Sequence, residues 1–217
     1  MQSKFVKMIL KFMVATFFIQ CTWASCSIGD ANVIQIDPIG KAKASDGIND
    51  NPLCTTAIRN HIRTEFEASL QYLMMSAHFA QDTINLEGFA NFFFKSANEE
   101  RDHGVKFLDY VKLRGDEKLD IGINNLAPIL GKSSWADGTE ALRDALYMEK
   151  QVSIAIKGMI TWCAGVEDFY SADYLIGTWL EEQLHGQREL AGMINTLSNF
   201  RKDHEDLADW MFSNTLL

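Results

Sequence analysis

The chain has 217 residues, is 47% hydrophobic and carries a formal net charge of −9, which is enough apolar material for one sizeable core and one domain. The acid excess argues against nucleic acid and against an anionic membrane surface as partners. There is no Gly-rich phosphate loop, no nucleophile elbow and no cysteine spacing of a zinc site.

Residues 1–24 read as a secretory signal peptide. Lys4, Lys7 and Lys11 precede or interrupt an apolar run over residues 8–19, and Thr22-Trp23-Ala24 supplies the small residues of a cleavage point after Ala24. The run is too short to span a bilayer comfortably, and no later stretch is long and apolar enough to do so. Cleavage removes three lysines and no acid, moving the net charge from −9 to −12. The product is expected in the secretory pathway or outside the cell.

Residues 25–52 follow as an irregular extension containing Pro38 and Pro52. From 53 to 217 the pattern is all-α. Helical periodicity predicts long amphipathic helices over residues 54–81, 87–114, 135–163 and 170–200, and a short fifth over 205–212. Brief connections join the first two and the last two, so each pair should be antiparallel. The connection over residues 115–134 is long enough to cross the whole bundle, and Ser134 with Asp137 resembles a capping box opening the third helix.

Cys21 leaves with the signal, so the mature cysteines are Cys26, Cys54 and Cys163. Cys26 and Cys54, assigned to the polar lead-in, are plausible partners for each other or for another chain. Cys163 reads as a buried free thiol.

Each long helix carries one polar interruption of its apolar stripe. They are Glu65, Glu100 (with His103 one turn on), Glu149 and Gln183. At about 100° per residue, Ile58, Ile62 and Tyr72 share a face with Glu65. Phe93 and Phe107 share one with Glu100, Val152 and Ile156 with Glu149, and Ile176, Trp179 and Leu190 with Gln183. An unpaired buried charge costs several kcal/mol, so four interruptions facing one interior read as ligands sharing metal ions. Glu182 and His185 form a second Glu-x-x-His pair, but His185 turns away from Gln183, which assigns the pair to solvent or a neighbouring subunit. Phe92, Phe93 and Phe94, with Met74 and Met75, read as core packing; His61, His78 and His204 read as surface or interface residues.

The stretches RTEFEASLQYLMMSAHF, FFFKSANEERDHGVKFLDYVKLRG, ALYMEKQVS and WLEEQLHGQRELAG together resemble a ferritin subunit over roughly residues 55–216. With the signal peptide and the cysteine-bearing extension, the likeness is to secreted insect ferritins of the heavy-chain type. It implies a ferritin-like four-helix bundle with one long crossover and a short C-terminal helix. It also implies a ferroxidase centre, with Glu65 and His103 holding one iron, Glu100 bridging and Glu149 holding the second. Glu99 would assist after a swing, Gln183 would hydrogen-bond the bound water or oxygen species, and Tyr72 would be a nearby phenol. Carboxylates and one imidazole with open positions suit Fe(II) and dioxygen. Because the carboxylates must be ionised, activity should fall in acid.

The resemblance further implies a 24-subunit cage storing ferric oxyhydroxide, built from this chain alone or together with light-chain-type subunits. Two positions depart from the family pattern. Asp173 stands at the iron-entry channel, but Ile176 replaces the acid expected next; Asp102 is acidic on the cavity face, but Val105 occupies the following nucleation position. A diiron oxidase acting on an organic substrate is disfavoured, since Gly186 stands where a second imidazole would follow Gln183.

Overall fold

The computed structural model describes residues 52–115 and 121–217. The expected signal peptide, the expected extension up to residue 51 and Cys26 lie outside them. The described elements are α1 (Pro52–Phe79), α2 (Glu87–Leu113), a 3-10 turn (Ile123–Asn125), α3 (Gly138–Gly165), α4 (Phe169–Leu175), a π turn (Ile176–Leu180), α5 (Glu181–Asp203), a 3-10 turn (Glu205–Leu207) and α6 (Ala208–Thr215). α4, the π turn and α5 run on without a break as the fourth long helix. Among the described residues there is no strand, and no helix is long and apolar enough to cross a membrane.

Proline opens α1, where its missing N–H would have had no intrahelical acceptor. The turn into α2 closes with Leu86 N–H donating to the Phe79 carbonyl at 3.0 Å, so α1 and α2 pack as an antiparallel pair. The start of α2 lies hard against α6. Gly88 N–H donates to Ser213 Oγ at 3.0 Å, and a Cβ at Gly88 would fall 1.8 Å from the Ser213 carbonyl oxygen, so only glycine fits.

The crossover climbs α1 rung by rung. Arg63 Nη2 donates to the Asn125 carbonyl at 2.7 Å, and Ile129 N–H donates to the Glu67 carbonyl at 3.2 Å. Buried Gln71 then accepts from Leu130 N–H and donates to the Lys132 carbonyl. Loop and helix numbers rise together, so the crossover runs parallel to α1 and α3 starts in the direction of α2. At its end Trp135 packs edge-on to His78, with ring centroids 5.4 Å apart. His78, expected at the surface or an interface, is therefore buried within the chain. α3 begins at Gly138, and its cap is Asp137, whose side chain accepts from Glu140 N–H at 2.8 Å. The expected box led by Ser134 is displaced by three residues.

Two apolar clusters make the core. One gathers Tyr72, Phe79, Phe89, Phe93, Met148 and Phe212; the other gathers Ile58, Ile62, Phe107, Ile156, Leu175 and Trp179. Of the residues expected to pack there, Phe93 and Met75 are fully buried, whereas Phe94 and Met74 are exposed.

Cys54 lies in the first turns of α1 rather than in a polar lead-in, and it is bonded to Cys163 near the end of α3. This corrects both cysteine readings: Cys163 is not a free thiol, and Cys54 is not paired with Cys26. The physical reason is proximity, since packing brings the two Cα atoms to 5.0 Å, within the span of a disulfide. Beside the α3–α4 turn, Arg114 makes a two-pronged ion pair with Asp168 at 2.9 and 3.0 Å. Asp168 also caps α4 by accepting from Ser171 N–H at 3.1 Å.

Candidate metal centre

The polar positions lie on a seam between the two apolar clusters. On α1, Glu65 separates Ile62 of one cluster from Tyr72 of the other; on α2, Glu100 separates Ala97 from Phe107. On α3, Glu149 separates Met148 from Val152, and on the fourth helix Gln183 separates Trp179 from Leu190. All four side chains are buried. The fourth helix keeps its seam residue inward through the π turn. Ser171, Leu175, Trp179 and Gln183 are buried at four-residue intervals, and an α-helix would carry such positions about 40° round at each step. The wider π turn absorbs that drift and turns Ile176 outward, to 48% exposure. The expectation that Ile176 flanks Gln183 fails for this reason.

Glu65, Glu100 and His103 each offer a ligand atom, and these atoms lie within 4.8 Å of one another. Glu149 is held from both sides. Tyr72 Oη donates to its Oε1 at 2.7 Å, and Gln183 Nε2 donates to its Oε2 at 3.0 Å. Gln183 Oε1 in turn accepts from Ser153 Oγ at 3.0 Å, and Ser153 Oγ accepts from Gln187 Nε2 at 2.6 Å. The centre opens into a cleft of about 530 Å³, whose lining includes Glu99, Glu100, His103, Glu149 and Glu182. Glu99 is mostly exposed and lies 3.5 Å from Lys95 Nζ.

Glu182 is the residue that the sequence reading placed elsewhere. His185 does face solvent, at 80% side-chain exposure, but Glu182 reaches back across the cleft and Oε1 lies 2.9 Å from His103 Nε2. His103 Nδ1 lies 3.3 Å from Glu100 Oε2. A carboxylate on one ring nitrogen fixes the tautomer and turns the other nitrogen towards a metal, so Glu182 orients His103. The signal was available, because Glu182 stands beside Gln183 on the flank of α5. His61, expected at the surface or an interface, is buried on α1 with Nε2 2.7 Å from Glu65 Oε1.

Burial raises the pKa of Glu65 to about 7, of Glu100 to about 8 and of Glu149 to about 7. For Glu65 and Glu100 the neighbouring His103 pulls the other way but does not prevail. Burial alone would lower His103, yet its hydrogen bonds to Glu100 and Glu182 outweigh that and raise it to about 10. Burial pushes the Tyr72 phenol well above its ordinary value. Three acids that hold protons near neutrality, grouped around one imidazole, are a poor way to build a core and a good way to bind a cation. Glu65 Oε2, buried and without a hydrogen-bond partner, fits an ion in the same way. The oxygen-rich set with one or two imidazoles suits Fe(II) and other divalent first-row metals rather than a thiolate-seeking ion.

A cation entering this centre must displace those protons. Affinity for Zn(II), a redox-inert probe, should therefore weaken as pH falls through the range of about 8 to 7, with protons released on binding. Titration in two buffers of different ionisation enthalpy would measure the release. Affinity that stays flat across that range would mean the carboxylates are not the ligands.

The Ferritin-like domain family matches residues 55–200. The ferritin heavy chain of Drosophila melanogaster is 42% identical over 175 residues, covering 79% of this chain and 84% of that one. The ferritin heavy chain of Trichoplusia ni is 39% identical over 197 residues, covering 89% and 92%. The crystal structure of the secreted ferritin of Trichoplusia ni superposes with a TM-score of 0.74 at 37% identity, covering 89% of this chain and 97% of that one.

Proposed function

The chain belongs to the ferritin family, and on that footing we propose that it is a ferroxidase-bearing, iron-storing subunit. In this reading it oxidises Fe(II) with dioxygen and passes Fe(III) to a ferric mineral inside a multisubunit shell. The observation that carries the reading is the convergence of buried Glu65, Glu100 and His103 within 4.8 Å, with Glu149 contributed by α3. Hydrophobic side chains would fill that seam at lower cost if it had no ligand to hold.

Iron is the substrate. Glu65 and His103 hold one Fe(II), Glu100 reaches towards both ions, and Glu149 holds the second. Gln183 stays within hydrogen-bonding reach through its contact with Glu149 and can orient a bound water or oxygen species. Tyr72 steadies the Glu149 carboxylate by hydrogen bonding. Glu182 holds the His103 ring in place, and Glu99 stands at the mouth of the cleft, able to swing inward. Two Fe(II) ions side by side supply two electrons to one dioxygen, and the low-dielectric walls keep the ligands preorganised.

The shell is read as the family's 24-subunit cage, homo-oligomeric or shared with light-chain-type subunits. Asp173, exposed on α4, is the entry-channel acid in this reading, with Ile176 exposed beyond it. The heavy-chain relatives and the secreted structural neighbour support a secreted product. The Cys54–Cys163 disulfide suits an oxidising compartment.

The test is stopped-flow oxidation in air at about two Fe(II) per chain. A fast phase that saturates near that ratio is the expected result. Oxidation no faster than that of free Fe(II) would make this chain a shell component without a centre of its own.

A further inference from the structure

His61 stands one turn before Glu65 on α1, and a residue pair four apart on a helix shares a face and can close on one ion. Its ring is wedged edge-on against Phe107, with centroids 5.1 Å apart, and is 3% exposed. Its Nε2 lies 2.7 Å from Glu65 Oε1 but makes no aligned hydrogen bond, and Glu65 Oε2 makes none either. Buried polar atoms are nearly always partnered, and leaving an acceptor or donor bare costs about 1–3 kcal/mol. A buried imidazole nitrogen 2.7 Å from a carboxylate oxygen without an aligned bond is hard to explain as core packing. His61 Nε2 and Glu65 Oε1 are easily explained as neighbouring corners of a coordination sphere, since ligands about 2.1 Å from a common ion stand roughly 3 Å apart.

We propose that His61 Nε2 is a further ligand of the Glu65–Glu100–His103 cluster, giving a bound divalent transition-metal ion a second imidazole. The inference rests on the metal-centre reading above and adds one residue to it. Imidazole nitrogen favours the later first-row ions over Mg(II) and Ca(II), so His61 makes this position the more retentive of the two. Glu149, hydrogen-bonded to Tyr72 and Gln183, stands outside the Glu65–Glu100–His103 group and holds the looser ion.

Anomalous diffraction from crystals of the full-length protein loaded with Zn(II), recorded either side of the zinc edge, decides the matter without a variant. The expected result is a zinc peak about 2.0–2.2 Å from His61 Nε2. In solution, His61→Gln should bind the tighter zinc equivalent roughly 10- to 100-fold more weakly while retaining the wild-type circular dichroism spectrum. A zinc peak on Glu65, Glu100 and His103 with His61 Nε2 beyond bonding distance, and unchanged affinity in His61→Gln, would overturn the role of His61 and leave the metal centre standing. A centre that takes up no zinc at all would overturn both.

Discussion

His103→Ala is expected to abolish the fast phase of Fe(II) oxidation and to leave the fold intact. His103 is the imidazole of the three-residue cluster, and alanine removes the nitrogen ligand outright. Loss of a residue that merely orients a ligand already costs 10- to 100-fold in affinity or activity, so loss of the ligand itself should cost roughly 100-fold or more. The fold survives because of the protonation state of its neighbour. Glu100, with a pKa raised to about 8, is largely neutral at pH 7, so removing His103 does not strand a buried charge. Glu182→Gln tests the orienting role separately. It keeps the volume and a hydrogen-bonding oxygen but removes the charge that fixes the ring, and a drop of about tenfold is expected. Stopped-flow traces of the three proteins give the answer, and a fast phase in His103→Ala equal to wild type would remove His103 from the chemistry.

Cys163→Ser should lower the melting temperature by roughly 4–20 °C, from a loss of about 2–5 kcal/mol. The bond it removes joins residues 109 positions apart, so it closes a long loop in the unfolded chain, where the loop-closure model expects a large effect. Both sulfurs are fully buried, and the bond ties the start of α1 to the end of α3. The same drop should appear in the wild type on prolonged exposure to a reductant under mildly denaturing conditions, and should be absent in the variant. Equal melting temperatures for the oxidised wild type and Cys163→Ser, with peptide mapping that finds Cys54 joined to Cys26, would refute the assignment.

The parts of this structure that were legible in advance depend on short-range periodicity. Four amphipathic runs, two brief turns and one long crossover follow from where apolar residues recur, and the helices end within a few residues of where the pattern stops. Glu65, Glu100, Glu149 and Gln183 were legible as buried polar positions because each breaks an apolar stripe, and His103 because it stands one turn after Glu100. Other features depend on distances that no periodicity encodes. Cys54 meets Cys163 only after α1 packs beside α3. Ile176 faces outward because a π turn shifts the phase of the fourth helix, and a wheel drawn at constant pitch cannot register that shift. His61 and His78 look like ordinary surface histidines until Phe107 and Trp135 are folded over them. Glu182 was discounted for its partner in sequence, His185, when its partner in space is His103.

The crossover also divides the ligands between two helical hairpins with different folding histories. Glu65, Glu100 and His103 all belong to α1 and α2, whose contacts are close in sequence and so form early and cheaply. Glu149, Glu182 and Gln183 come from the hairpin of α3 and the fourth helix, which the crossover, bonded to α1 from Asn125 to Lys132, joins to the first. The tight half of the centre is thus the product of a local event, and the rest is the product of docking. A metal ion caught by the first hairpin would be waiting when the second arrives, so trace zinc or iron should speed the last step of refolding more than the first.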